Sequence, residues 1–165
     1  MRQCHTVSSR INQRENGSLG LFKGFRKSKE PPPSPDDVAN AAAEAFVESL
    51  AEVGVTANLD YSQESVFLLD EIIAQGWPTL RSDETYKLIP PVMGAYIGEV
   101  MVRHLDGSWT WGPSRPVVKF REGEIDPALW VQRRLNGEHH RYIAMSYTVL
   151  RVRLGRGMEE ASPGA

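Results

Sequence analysis

The sequence predicts an α+β protein, a single and mostly helical domain that contains one β-hairpin, Trp109–Phe120. Several segments place apolar residues at the spacing of about 3.6 that is typical of a helix packed on one face. The segment at 109–120 instead alternates apolar and polar residues on either side of a glycine- and proline-rich turn, as a hairpin does. With 165 residues, 41% of them hydrophobic and 24% charged, the chain is long enough for one core and too short for two.

Composition divides the chain into an arm and linker at 1–35, a folded body at 36–152 and a flexible tail at 153–165. The first 30 residues hold seven basic and two acidic side chains, whereas the rest of the chain holds 12 basic and 19 acidic ones. A proline run, PPPSP at 31–35, follows the arm and is typical of a stiff spacer. Because the arm lacks apolar periodicity we expect it to be disordered, although its charge would also suit nucleic acid, an anionic membrane or the acidic body.

The composition also excludes several classes of protein. No apolar run approaches the roughly 20 residues of a transmembrane helix, and we see no apolar stretch typical of a secretory signal. Cys4 is the single cysteine, so no internal disulfide can form, and we expect a reducing, cytoplasmic compartment. The body is acidic and lacks zinc-knuckle, helix-turn-helix and RNA-recognition patterns, so we expect no nucleic-acid partner.

Two helices are predicted in the first part of the body. The first begins at the cap Asp36-Asp37 and ends at Gly54. The second begins after Ser62, whose hydroxyl suits an N-cap, and ends at Gly76-Trp77-Pro78. Their inward-facing apolar residues are Val38, Ala42, Ala45, Phe46, Leu50 and Val53 in the first helix, and Val66, Leu69, Ile72 and Ile73 in the second.

A central helix is predicted from Pro91 to Gly107, after a polar connection at 79–90 in which a short helical turn around Glu84–Leu88 is an alternative interpretation. Proline is tolerated in the first turn because the first N–H groups of a helix have no helical partner. The helix is apolar nearly all round, which is typical of a buried helix. Gly94 and Gly98 lie four residues apart, so one face is almost bare and should let a neighbouring backbone come close.

Two more helices are predicted after the hairpin. Asp126-Pro127 combines an N-cap carboxylate with proline at the first helical position, and Gly137 ends this helix. The segment at 138–154 is ambiguous because its apolar residues fit a helix in the first half and a strand in the second. We favour a helix to about residue 151. The predicted buried residues of the helix after Asp126 are Leu129, Trp130 and Leu135.

Glu99 is the most informative residue of the body, because it is the only carboxylate between residues 91 and 105 of the apolar central helix. A buried carboxylate must be paired or hydrogen-bonded, or else it holds a proton. We expect a structural role, in which Glu99 pairs with Arg103, or with Arg133 or Arg134, and keeps the helix in register. The alternative is a general base or ligand-binding carboxylate, although no second catalytic group stands at a spacing that demands chemistry.

Two further features indicate contacts with partners. Glu44, Glu48 and Glu52 form a row of like charges on the first helix. A basic partner would relieve their repulsion; the alternative is a solvated face. Trp109 and Trp111 lie on one face of the hairpin, where they either pack in the core or line a groove.

No motif typical of catalysis or of cofactor binding is present. The histidines lack the i,i+4 spacing of a helical metal site, and the neighbours His139 and His140 should point in different directions on any regular element. Cys4 lies in the arm and is a poor candidate for a nucleophile. Gly94-x-x-x-Gly98 is not a phosphate loop, and the chain has no G-x-S-x-G elbow. We therefore expect no metal, no cofactor and no catalytic residue.

Three runs of residues form a wider pattern: LDxS…LD at 59–70, GxYxGEV…GxW at 94–109 and P…RRLNG at 127–137. The pattern resembles that of a group of small bacterial, often actinobacterial, proteins that carry a domain of unknown function, and the resemblance covers roughly residues 38–150. It implies a compact cytoplasmic α+β domain without assigned chemistry. Similarly built small domains occur near contact-dependent toxin systems, so the resemblance leaves an immunity role open.

We expect a non-catalytic binding or interaction protein of the bacterial cytoplasm. The first alternative is an immunity-type inhibitor whose acidic row meets a basic toxin, and the second is a small enzyme centred on Glu99. The identity of the protein partner and the oligomeric state stay open. The candidate binding residues are Tyr96, Glu99, Trp109, Trp111 and Arg133, and the candidate partner surface is Glu44, Glu48 and Glu52.

Overall fold

The computed structural model describes residues 31–52, 54–55, 57–75 and 83–155, with side chains from residue 87 onward in the last range. Within these ranges five helices accompany a three-stranded antiparallel sheet, so the predicted α+β, mostly helical class is confirmed. None of these helices is both long and apolar enough to cross a membrane. The elements are α1 (Pro35–Glu52), α2 (Gln63–Gln75), α3 (Asp83–Leu105), β1 (Ser108–Trp111), β2 (Pro116–Phe120), β3 (Gly123–Ile125), α4 (Pro127–Leu135) and α5 (Tyr142–Arg153).

Some predictions fall on other parts of the chain. The basic arm up to residue 30 with Cys4, the end of the second helix at 76–78 and the tail from residue 156 onward all lie outside the described residues.

α3 runs through the core. It packs mainly against α1 and α4, and it also contacts α2 and the first two strands. Met93, Tyr96, Ile97, Val100 and Met101 are fully buried. Neighbouring elements cover α3 on most of its sides, which explains why it is apolar nearly all round and confirms the predicted buried helix.

α3 begins at Asp83, well before the start predicted at Pro91, so the predicted polar connection is wrong for residues 83–90, and the alternative helical turn around Glu84–Leu88 is part of this helix. Pro90 and Pro91 lie inside the helix, although proline has no N–H to donate and normally ends or kinks a helix. Ile89 and Pro90 are buried in the protein. We attribute the continuation of the helix to this tertiary packing, which local propensity does not include.

The two glycines of α3 mark its closest contacts. A Cβ added at Gly94 would lie 2.5 Å from the Cα of Ala128 in α4, and one added at Gly98 would overlap the ring of Trp109. The predicted close approach of a neighbouring backbone is therefore confirmed at Gly94. At Gly98 an indole ring occupies the corresponding space.

The predicted hairpin is present. β1 and β2 are antiparallel, with Trp109 opposite Val118 and Trp111 opposite Pro116. β2 also pairs with β3, which the sequence did not indicate. β3 has only three residues and none of them is buried, so it is too short and too exposed to show the alternation that identifies a strand.

Asp126 caps α4 as predicted, since its Oδ1 accepts a hydrogen bond from the N–H of Ala128 at 3.0 Å. The buried residues of α4 are Pro127, Ala128 and Val131. The prediction that Leu129 is buried is wrong, because this side chain is exposed. The face of Ala128 meets Gly94 of α3, and the next residue on a helix points about 100° away from it.

The ambiguous segment forms helix α5, so the favoured helix is confirmed and the strand alternative is wrong. Arg141, at its N-cap position, makes no side-chain capping bond. The first turn is instead capped from another helix, because Oδ2 of Asp70 in α2 accepts from the N–H of Ala144 at 2.8 Å. The position of α5 therefore depends on α2.

Candidate binding groove at the tryptophan hairpin

An apolar groove of about 260 Å³ lies where the hairpin meets α1, α3 and the start of α4. Alanine, glycine and proline side chains make up much of its lining, so the backbone lies near the surface and the groove stays open. Its lining also includes Ala42, Trp109, Trp111 and Arg115.

The two tryptophans of the hairpin both line this groove, as expected for residues two apart on one strand. They differ in burial: Trp109 is 7% exposed and Trp111 is 54% exposed. The Trp109 ring lies against Gly98 of α3, so it belongs to the core. Trp111 therefore presents a large aromatic surface at the groove that the rest of the described chain leaves open.

Arg115 is the cationic residue of the groove, and an ion pair holds it in place. Its Nε and Nη2 donate to Oδ2 of Asp126 at 2.9 and 2.6 Å. The other oxygen of Asp126 caps α4. One carboxylate therefore joins the hairpin turn to α4 and neutralises the charge beside the groove.

Glu99 lies behind Trp109. It is 5% exposed, and its Oε1 accepts a hydrogen bond from Nε1 of Trp109 at 2.7 Å. Its Oε2 lies 3.5 Å from Nε of Arg103. The predicted burial and the predicted pairing with Arg103 are confirmed, whereas Arg133 and Arg134, the other predicted partners, bind elsewhere.

A stack of side chains continues from this carboxylate into the core. The guanidinium of Arg103 lies 3.9 Å above the ring of Tyr61, which stacks on Tyr96 with centroids 4.7 Å apart. Tyr61 has a left-handed backbone, at φ 62°, which is rare for a bulky residue. Its N–H donates to the Tyr96 hydroxyl at 3.0 Å, and its carbonyl lies 2.9 Å from Nε2 of His104. These contacts hold the loop before α2 against α3.

Tyr96, a candidate binding residue, is wholly buried and reaches no surface. Its hydroxyl donates to Oγ of Ser65 at 2.6 Å. Burial raises the pKa of Tyr96 above its ordinary value, although the hydrogen bond from the Tyr61 N–H opposes the shift, as does the contact with Ser65. Burial also raises the pKa of Tyr61. Tyr96 therefore does not line the groove. It helps to hold α3, which forms one of the groove walls, in the core.

Arg133, another candidate binding residue, lies away from the tryptophan groove. Its Nη1 donates to the hydroxyl of Tyr142 at 2.7 Å, and its Nε lies 3.8 Å from Oε2 of Glu138. The hydrogen bond to Tyr142 raises the pKa of Arg133 further. Arg133 lines a second, larger groove between α4 and α5.

Asp70 is a buried carboxylate that the sequence reasoning missed. Its Oδ1 accepts from Nε of Arg134 at 3.0 Å, and the N–H of Ala144 binds its other oxygen. A signal was present, because Asp70 shares the buried helical face of Val66 and Ile73 at the spacing i, i+4 and i+7. A carboxylate on that face requires a partner, as Glu99 does.

The predicted acidic row is exposed on α1: Glu44, Glu48 and Glu52 all face solvent. The row belongs to a wider charge asymmetry. Residues 31–75 contain nine acidic residues and no lysine or arginine. Residues 127–155 contain five arginines and a single acidic residue, Glu138.

Different directions are predicted for the adjacent histidines on a regular element, but they do not lie on one. The rings of His139 and His140 stack with centroids 4.8 Å apart and an interplanar angle of 12°, because they lie in a turn before α5 and not on a regular element. In the part of the chain that the structure describes, no group of three or more histidine, cysteine, aspartate or glutamate side chains could hold a metal ion.

The sequence matches no protein-family model, no curated protein and no solved structure.

Proposed function

We propose that this protein is a non-catalytic binding module that takes an apolar side chain of a protein partner into the tryptophan groove. The observation that carries the proposal is the pairing of a half-exposed Trp111 with an apolar groove of about 260 Å³. Exposed aromatic residues beside apolar pockets are the usual anchors of protein–protein interfaces. The single cysteine of the chain supports a reducing compartment, and we place this role in the bacterial cytoplasm.

The groove is suited to binding because its walls are already held in place. Trp109 is fixed by Glu99 on one side and by Gly98 on the other. Arg115 is fixed by Asp126. A preorganised groove loses little conformational freedom when a partner binds, which favours affinity.

The same geometry gives less support to an enzyme centred on Glu99. Both carboxylate oxygens face protein partners, Trp109 and Arg103. Glu99 lines neither of the two grooves described here. A general base must come within hydrogen-bonding reach of a substrate proton, so Glu99 suits the support of the groove better than acid–base chemistry.

Selection from a library of displayed random peptides tests the proposal. We expect enriched peptides with an aromatic or aliphatic anchor that bind the wild type. Binding should be lost in Trp111→Ser, which removes the aromatic surface, and in Ala42→Leu, which fills the groove. Leu88→Ser, which removes an exposed apolar side chain that lines neither this groove nor the one beside Arg133, is the matched control. Peptides that bind all four proteins equally would contradict the proposal.

A second candidate function is an immunity-type inhibitor that binds a basic toxin through the acidic row of α1. The nine acidic residues at 31–75, without a lysine or arginine among them, favour it. Co-expression with the product of the adjacent gene tests it, with growth of the bacterial host as the measurement. Protection that is lost in Glu44→Gln/Glu48→Gln/Glu52→Gln and kept in Trp111→Ser would support this candidate over the first.

A further inference from the structure

The groove between α4 and α5 is a second surface that the proposed function does not use. Its volume is about 760 Å³, and Ile125, the last residue of β3, also lines it. Trp130, Met145 and Val149 contribute further apolar surface. The groove is about three times as large as the one at the tryptophan hairpin, so it accommodates a larger part of a partner than one side chain.

The exposed side of α5 is apolar where a solvent-facing helix is normally polar. Met145 and Val149 are 52% and 49% exposed, and with Val152 they follow the spacing i, i+4 and i+7 of one helical face. The opposite face of α5 is buried through Ile143 and Tyr147. α5 is therefore apolar on two sides, although the described protein covers only one of them, and a stripe of this kind is typical of a surface that binds a helix.

Positive charge lies at both ends of the stripe. Arg133 is placed at the start of α5 by its hydrogen bond to Tyr142, and Arg153 is the last residue of α5. Both line the groove, and Tyr142, which binds Arg133, is separated from Arg153 by about 16 Å of helix at 1.5 Å per residue. Glu138 is the one carboxylate of the lining, and it lies beside Arg133.

The described helices of a second copy of this chain do not include a matching one. Its own α4 and α5 are rich in arginine and would repel this surface. Its α1 is acidic, but the large apolar side chains Phe46 and Leu50 of α1 are buried in its own core. On α2, Phe67 already packs edge-on against Tyr147.

We propose that the α4–α5 groove binds an acidic amphipathic helix of a partner protein. Apolar side chains of that helix cover Met145 and Val149. Carboxylates about three turns apart, on either side of the apolar residues, pair with Arg133 and Arg153. This surface is separate from the tryptophan groove, so the two grooves allow the protein to hold two segments of a partner, or two partners.

The probe is a fluorescein-labelled, alanine- and glutamine-based helical peptide with leucines on one face and two glutamates about three turns apart on that same face. A peptide with lysines in place of the glutamates is the control. By fluorescence anisotropy at low salt, the full chain should bind the glutamate peptide roughly two- to thirtyfold more tightly than the lysine peptide, as expected for two solvent-exposed ion pairs. Added salt should reduce this difference.

Charge reversal distinguishes this docking from nonspecific binding of an apolar peptide. Arg133→Glu/Arg153→Glu should invert the preference so that the lysine peptide binds more tightly. Lys119→Glu/Arg121→Glu, an equal charge change at exposed residues of β2 and of the turn after it, should leave the preference unchanged. Val149→Asp should weaken both peptides, and circular dichroism of each variant checks that it is folded.

Several results would overturn the proposal. If the two peptides bound equally, the arginines would not select a partner by its charge. The same conclusion would follow if the Arg133→Glu/Arg153→Glu change did not invert the preference. A concentration-dependent dimer by sedimentation that Val149→Asp abolishes would assign the groove to a second copy. Binding to phosphatidylglycerol vesicles that depends on Met145 and Val149 and exceeds peptide binding would assign it to a membrane surface.

Discussion

Two carboxylates in the described part of the chain are buried to almost the same extent and are held in different ways. Glu99 of α3 is 5% exposed and Asp70 of α2 is 4% exposed. The arginine beside Glu99, Arg103, lies 3.5 Å away and has 47% of its side chain exposed. The arginine beside Asp70, Arg134, lies 3.0 Å away and has 11% of its side chain exposed.

The other partners differ as well. Glu99 accepts from the indole of Trp109, a side chain close to it along the chain, whereas Asp70 accepts from the backbone N–H of Ala144 at the start of α5. Loss of Asp70 would leave both a buried guanidinium and an uncapped helix, whereas after loss of Glu99 the arginine could turn to solvent. The comparison teaches that the burial of the partners, and not only that of the carboxylate, determines what the carboxylate contributes to stability.

The largest expected effect is that of Asp70→Ala. We expect the free energy of unfolding to fall by about 3–5 kcal/mol, because Arg134 would stay buried without a carboxylate partner and would keep only the backbone carbonyl of residue 70. Asp70→Asn should lose less, since its amide oxygen can still accept from Ala144. Urea unfolding at neutral pH measures both, with the exposed neighbour Glu71→Ala as the control. If Asp70→Ala lost no more stability than the control, the expected contribution of the buried Asp70–Arg134 pair would be contradicted.

Glu99→Ala should cost less, about 1–3 kcal/mol, because it leaves the buried N–H of Trp109 without an acceptor while Arg103 can reach water. Glu99→Gln should cost less again, since its amide oxygen still accepts from the indole. Thermal melts with tryptophan fluorescence measure the effect. Unchanged or raised stability in both variants would contradict the structural role of Glu99 and favour the enzyme, because active-site groups are often held at a cost in stability.

Tyr96→Phe tests the last member of the stack of side chains that runs from Glu99 through Arg103 and Tyr61 to Tyr96. At neutral pH we expect a loss of about 1–2 kcal/mol, because two hydrogen bonds disappear, to Ser65 and from Tyr61. Burial raises the pKa of Tyr96, so the folded protein keeps this proton at a pH where the unfolded chain releases it. The stabilisation is therefore complete below about pH 10 and is lost as the pH rises through the folded pKa.

Urea midpoints of wild type and Tyr96→Phe at several pH values between about 9 and 11 measure this dependence. The wild type should lose stability more steeply than the variant. A residual slope is expected in Tyr96→Phe, because burial also raises the pKa of Tyr61. Parallel pH profiles for the two proteins would show that Tyr96 titrates alike in the folded and unfolded states.

The smallest effect is that of Asp126→Ala, about 1 kcal/mol, which is typical for loss of an N-cap. Asp126 caps its own helix, whereas Asp70 caps α5 from a different helix, so the two variants compare a local cap with a tertiary one. Equilibrium unfolding in urea, with the exposed Glu124→Ala as the control, measures the difference. A cost for Asp126→Ala equal to that of Asp70→Ala would mean that the ion pair with Arg115 matters as much as the buried pair.

Much of the candidate site could be predicted from residues close together in the chain. The burial of Glu99 follows from its apolar neighbours on α3, and its pairing with Arg103 follows from one helical turn. The placement of Trp109 and Trp111 on one face follows from the alternation of a strand. These features depend on helix and strand periods, which a single segment carries by itself.

Other parts of the site could not be predicted in this way. Which tryptophan is exposed depends on the bare face at Gly98, which takes up the ring of Trp109. The partners of Asp70 lie 64 and 74 residues further along the chain. Contacts over such separations depend on how helices pack, and the pattern within one segment contains no information about its neighbours.

The sequence by itself determined the α+β class, the buried helix, the hairpin and the N-cap at Asp126, because periodicity and capping are local properties of the backbone. Only the tertiary structure decided that α3 continues through Pro90 and Pro91, that Asp70 caps α5 and that two grooves stay open. These outcomes depend on which surfaces meet when the helices pack, and the free energy of that packing outweighs local preferences of about 1–3 kcal/mol.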